Sequence, residues 1–199
     1  MSDFNLLGGT DPAGTTLGFV TEGIGYPLRQ VVPSPSGGTV TVKFEQVLQG
    51  ASFDTQQPSS TNSPIQINFG PAQTTADITL SADGAVTFLT EDEYNIRLRL
   101  LFGRLGNPGN AEMFSRTLLN GVPLGGTVHT ILDDSDDVIP ATFEGVLDVV
   151  ANDVLTFEFM RDANGVNAGG LYPASPSLAG WADSPSALIT INHAYALTT

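Results

Sequence analysis

The chain has 199 residues, 41% of them hydrophobic, no cysteine, and a formal net charge of −14 from seven basic and 21 acidic side chains. Lack of cysteine excludes a disulfide framework, a thiolate metal site and a thiol mechanism, and so acidic a chain repels a phosphate backbone, which removes nucleic acid as a partner. Charged residues are only 14% of the chain, against ~25% in ordinary soluble domains, so much of the surface is expected to meet protein rather than water.

In chain order, MSDFNLLGG (1–9) lacks the positive start and the apolar block of a signal peptide. No later apolar run approaches the ~20 residues that span a bilayer. The expectation is a protein made and assembled in a cytoplasm, with no membrane partner. Residues 1–38 are broken by turn formers throughout and show no sustained period. GIGYPL (23–28) has the first two glycines of a nucleotide fingerprint, then Pro where a helix should start, so it reads as a turn. Yet Phe4, Leu6, Leu7, Phe19, Ile24 and Tyr26 make the segment too apolar for a solvated linker. It reads as an extended arm that orders by laying these side chains on a partner, with a floppy tail or extra edge strands as the other readings.

Strand alternation begins after PSPSGG, and residues 39–199 form the main domain. TVTVKFEQVL (39–48) sets Val40, Val42, Phe44 and Leu48 against Thr39, Thr41, Lys43 and Glu45, the period of a half-buried strand; a helical turn at FEQVLQ is the alternative. IQINF (65–69), DITLS (77–81), AVTFLT (85–90), YNIRLRLLF (94–102), AEMFSRTLL (111–119), TVHTIL (127–132), TFEGVLDVV (142–150), DVLTFEFMR (153–161) and SALITINHA (186–194) follow. Short strands cut by Asn-Gly, Asp-Gly and Pro, with no convincing amphipathic helix, predict an all-β antiparallel sandwich or barrel. Two strands are apolar on both faces: Val154 and Met160 oppose Leu155, Phe157 and Phe159, and Val146 and Val150 oppose Phe143, Leu147 and Val149. A monomer's sandwich strand needs one wet face, so the extra apolar face argues for oligomer contact.

FMRDANGVNAGGLYP (159–173) opens like a calcium loop with Asp162, Asn164 and Asn167. An EF-hand would need an oxygen ligand, a Gly and a Glu where the chain has Val166, Asn167 and Pro173. The segment therefore reads as a turn, with Asn164-Gly165 supplying a positive φ. LDDSDD (132–137) gathers Asp133, Asp134, Asp136 and Asp137, whose repulsion is relieved by hydration or by a bound cation; no metal is assigned. His129 and His193 sit on predicted strands, no nucleophile elbow precedes a helix, and no carboxylate pair stands out. No catalytic residue and no cofactor are expected. Arg97 and Arg99 share one strand face and are expected to pair with carboxylates of a neighbouring strand or subunit.

The run INFG…ITLSADGAVTFLTEDEYNIRLRLLFGR, then FSRTLLNGVPLG, LDVVANDVLTFEFMRDANGVNAGGL and SALITI, resembles the jelly roll shared by complement globular heads and tumour-necrosis-factor-like ligands. FGR, LLNGVPLG, FMRDANGVNAGGLY, and GW followed by SPSALITI resemble tailed-bacteriophage virion proteins that carry this jelly roll. That resemblance implies a compact homotrimer that binds a viral shell or projects from it, often attached through its N-terminal segment. No collagen-like stalk or fibrous repeat precedes the domain, which weighs against a long fibre.

The expectation is therefore a phage capsid decoration protein: a trimeric jelly roll on the exterior of the virion. Its 1–38 arms, through Phe4, Leu6, Leu7, Phe19, Ile24 and Tyr26, would bind the major capsid protein of the head. The alternative is a receptor- or glycan-binding tip of a tail fibre or spike. An enzyme is not expected.

Overall fold

The computed structural model describes residues 9–10, 16–17, 19–20, 29–33, 39–43, 46–104, 110–133, 138–165, 169–194 and 196–198, with side chains described from residue 46 to residue 194 within those ranges. The first strands are β1 (Gly9–Thr10), β2 (Thr16–Leu17), β3 (Phe19–Val20), β4 (Arg29–Pro33) and β5 (Thr39–Lys43). Then come β6 (Gln46–Ser52), β7 (Ile65–Gln66), β8 (Gln73–Thr74), β9 (Ile78–Leu80), β10 (Val86–Phe88) and the long β11 (Asp92–Arg104). The chain continues through β12 (Ala111–Leu119), β13 (Val122–Leu132), β14 (Val138–Val149), β15 (Val154–Arg161), β16 (Gly169–Leu171), β17 (Ala187–His193) and β18 (Ala196–Thr198).

Two antiparallel sheets carry the domain. One runs β14-β11-β17-β6, with β16 beside β11; the other runs β13-β12-β15-β10-β9-β8, with β7 beside β15. The chain passes repeatedly from sheet to sheet: β6 lies in the first, β7 to β10 in the second, β11 in the first, β12 and β13 in the second, β14 in the first, β15 in the second, β16 and β17 in the first. This interleaving is the jelly roll, and no helix occurs among the described residues.

The alternation read from sequence decides which faces meet. β11 buries Tyr94, Ile96, Leu98, Leu100 and Phe102 while Arg97 and Arg99 stay exposed. From the other sheet Phe88, Leu155, Phe157 and Phe159 pack against them, and edge-on pairs Phe69–Phe157 and Phe102–Phe159 close at 5.7 and 6.1 Å. Burying aromatic side chains of this size contributes about 1.5–3 kcal/mol each. FEQVLQ is strand from Gln46 on, not a helical turn. Ladder pairing at IQINF stops after Gln66, yet Ile67 and Phe69 are fully buried and Ile67 N–H donates to Phe157 C=O at 2.8 Å. Asn120 and Gly121, with φ of 52° and 77°, make the two-residue hairpin between β12 and β13 that an Asn-Gly pair favours.

The described residues of the 1–38 segment lie outside both sheets. β1 and β2 pair with each other, and β3, β4, β5 and β18 form a third, four-stranded sheet. Thr39–Lys43 thus pairs with Arg29–Pro33 and Ala196–Thr198, and the sandwich proper starts at Gln46.

Candidate functional site

β13 and β14 are the edge strands of the two sheets on the same flank, joined by the acidic loop. Along β12 and β13 the register runs Ser115↔Val128, then Thr117↔Leu124, so Gly125, Gly126 and Thr127 bulge from the ladder. Gly125 has φ +66°, and a Cβ added at Gly125, Gly126 or Gly145 would meet nothing within 4 Å. The bulge, facing Gly145 on β14, leaves a bare mouth into the space between the sheets. Behind it is a cavity of about 470 Å³ lined by Ile96, Leu98, Leu124, Phe143, Leu147 and Phe157, with only Thr117 and Glu144 polar. That is the size and lining of sites that take an apolar group. The strands around the mouth expose Val122 (64%), Val146 (54%) and Val138 (50%).

A second apolar feature stands on the outer face of the β11 sheet. Register places Glu144 and Thr190 either side of Arg97, and Thr142 and Leu188 either side of Arg99. Neither arginine makes an ion pair among the described residues, so the carboxylate partner expected from the neighbouring strand is not engaged within this chain. The segment between β16 and β17 is rooted on the next residue of that row. Tyr172 N–H donates to Leu101 C=O at 3.0 Å and Leu101 N–H to Ser186 C=O at 2.9 Å. Ala174 and Ser184 exchange backbone bonds of 3.0 and 2.7 Å that close the neck of the loop. At its tip Trp181 N–H reaches Leu178 C=O at 3.4 Å and Gly180 has φ +89°, the conformation a type II turn needs at its third residue. The turn holds Leu178 and Trp181 out at 62% and 71% exposure.

The residues singled out by sequence stand as follows. Phe4, Leu6, Leu7, Ile24 and Tyr26 lie outside the described residues; Phe19 opens β3, paired with Gln30, and its side chain is not described. Asp133 follows β13 exposed, while Asp134, Asp136 and Asp137 lie outside the described residues, as does Asn167. Asp162 to Gly165 form a turn in which the Asp162 carboxylate accepts from Asn164 N–H at 2.8 Å. Neither Asn164 nor Gly165 has a positive φ; the side-chain bond makes the bend instead. Of the strands apolar on both faces, β14 exposes Val146 while Phe143 and Leu147 face the cavity, whereas Val154 and Met160 of β15 are half-buried.

The two histidines sit far apart in the fold. His129 stacks on Phe114 at 4.3 Å, its Nε2 3.3 Å from Glu112. His193 stacks on Tyr94 at 5.0 Å between two carboxylates, Nδ1 2.8 Å from Asp92 and Nε2 3.5 Å from Asp77. The Nδ1 contact is close but not aligned as a hydrogen bond. Thr90 Oγ1 lies 2.7 Å from the Tyr94 hydroxyl, and burial is the first cause that pushes the Tyr94 hydroxyl above the ordinary phenol range. This cluster ties Asp77, beside β9, to β11 and β17, a clasp between the sheets. Because its carboxylates approach opposite ring nitrogens, they cannot share one ion with the ring.

Sequence reading missed both the mouth and the Leu178–Trp181 turn, a hook on the sheet face. Gly125 and Gly126 lie just before the predicted strand TVHTIL (127–132) and drew no reading of their own, and the single tryptophan lies in a Pro/Ser/Gly stretch without period.

No family model matches the chain, and no curated protein matches it. Among solved structures it is similar to the globular domain of zebrafish complement 1qA protein, at 11% identity and a TM-score of 0.44, over 76% of this chain and 98% of that one.

Proposed function

We propose that this chain is a non-enzymatic structural protein of a bacteriophage virion, a decoration protein that adds to the outside of the head as a homotrimer and grips the major capsid protein through its 1–38 arms. The observation that carries the self-association is the flank formed by β13 and β14, where apolar residues stand exposed around an open mouth. Exposed strand edges with such side chains invite pairing with other protein. Three arms on one trimer would add weak contacts through high effective concentration, which is how a small protein bridges shell subunits without a large interface of its own. The test is addition of purified protein to undecorated heads. Wild type should coat them, and a 1–38 deletion should stay trimeric but fail to bind. Normal coating by the truncated form would sink the arm reading.

One observation favours the receptor-binding alternative. On the outer face of the second sheet a recess of about 100 Å³ is lined by Pro64, Phe114, Phe159 and Met160, with Arg116 and Glu158 alongside. An apolar floor beside paired hydrogen-bonding groups suits a sugar ring. Glycan-array hits lost in Phe114→Ala, together with failure to coat heads, would favour it.

A further inference from the structure

The mouth between β13 and β14 and the Leu178–Trp181 turn are each unpartnered among the described residues, and they complement one another. The cavity is apolar and open through three bare glycines. The turn is the most exposed apolar projection of the described residues, its Trp181 71% exposed. We propose that Trp181 of one copy inserts into the β13/β14 mouth of the next, its indole packing on Leu98, Phe143 and Phe157. The inference deepens the trimer reading and rests on it.

Three observations support a second copy as the occupant. First, the hook is rooted at Leu101 on the Arg97/Arg99 face, whereas the mouth is on the edge. A face-to-edge contact between identical copies is heterologous, and such a contact closes into a ring when the rotation permits. Second, charge is complementary. The chain carries −14, so copies repel unless cations face the contact, and Arg97 lies in the strand row beside Glu144 and Gly145 of the mouth without an ion pair among the described residues. Asp183, exposed two positions after Trp181, comes with the hook. Third, a cavity of about 470 Å³ has room for an indole, and tryptophan carries large apolar area on few rotatable bonds, the property that makes it a frequent anchor at interfaces.

The chain has one tryptophan, so its fluorescence reports this contact alone. In full-length protein whose mass is measured by light scattering, the indole should be blue-shifted and shielded from acrylamide in the oligomer, and red-shifted on dilution to monomer. Trp181→Ala should raise the dissociation constant by about thirtyfold, a loss of about 2 kcal/mol. Gly145→Leu, whose Cβ meets nothing within 4 Å, should fill the mouth without unfolding the chain and expose the indole. A stable trimer with a solvent-exposed indole, or one indifferent to both substitutions, overturns the hook and leaves the trimer standing. A shielded indole unmoved by Gly145→Leu places Trp181 elsewhere and overturns it too. A monomeric wild type overturns both readings.

Discussion

The two flanks of this sandwich use glycine for opposite ends. On the β6/β9 flank a Cβ at Gly50 would lie 2.7 Å from Leu80 Cδ2 and 2.9 Å from Phe69 C=O, at Gly70 2.1 Å from Ala51 C=O, and at Gly84 1.9 Å from Ile67 C=O. There glycine lets backbones touch and the sheets seal, with the His193 clasp nearby. On the β13/β14 flank Gly125, Gly126 and Gly145 meet nothing, and the sheets part around a cavity. The contrast teaches that a glycine count says little until the space above each Cα is known. Among the described residues one flank is closed and the other is open.

The largest break in that comparison is Gly84→Ala. With φ +95° and a carbonyl where its methyl would go, the variant should lose about 4 kcal/mol or more, or fail to fold. Gly145→Ala on the open flank should stay within about 0.5 kcal/mol when both variants are compared by urea titration. Parity between the two would mean that the flanks do not differ. Next comes His193→Ala, which removes the ring stacked on Tyr94 and leaves Asp77 and Asp92 without it. A loss of about 1–3 kcal/mol is expected, and a change under about 0.5 kcal/mol would mean that the clasp does not hold the sheets.

Smaller effects belong to the exposed surface. The Arg116 guanidinium donates from two nitrogens to Glu158 Oε2 at 3.0 and 2.8 Å, with side chains 42% and 25% exposed. Glu158→Gln should cost under about 1 kcal/mol and less in high salt. At the Asn120 turn the Asp153 carboxyl is held below the usual carboxylate range, first by the Asn120 side-chain amide and then by Val150 N–H. A lowered carboxyl stabilises the fold above its unfolded pKa of 3.8, and that contribution disappears as pH falls through the folded value. Asp153→Asn should therefore flatten the acid end of the stability profile slightly and leave pH 7 folding cooperative; an unchanged acid limb would remove Asp153 from that account.

The strands were legible because one face of each meets the core. Tyr94, Ile96, Leu98, Leu100 and Phe102 alternate with Asn95, Arg97 and Arg99 in the sequence as they do in β11. β16 escaped because Gly169 and Gly170 have no side chain to show a period; they are glycines because Met113 and the Gln56 carbonyl lie where a Cβ would go. β8 escaped because Gln73 and Thr74 are only two polar edge residues. The mouth was hidden for a related reason, since the bulge at 125–127 is a pairing fact, fixed by Ser115↔Val128 and Thr117↔Leu124 across the hairpin rather than by any local pattern. The surplus apolar face of β14 was visible in Val146, and it continues past the strand in Val150, both 54% exposed.

Gly70 and Gly84 carry an evolutionary consequence. A surface residue can drift freely, but these two positions combine left-handed φ angles of 90° and 95° with a backbone oxygen in van der Waals overlap with any methyl. Descendants of this sequence would have to keep both glycines while most other letters change. The spacing between them, rather than overall identity, is thus the mark by which distant kin should be sought.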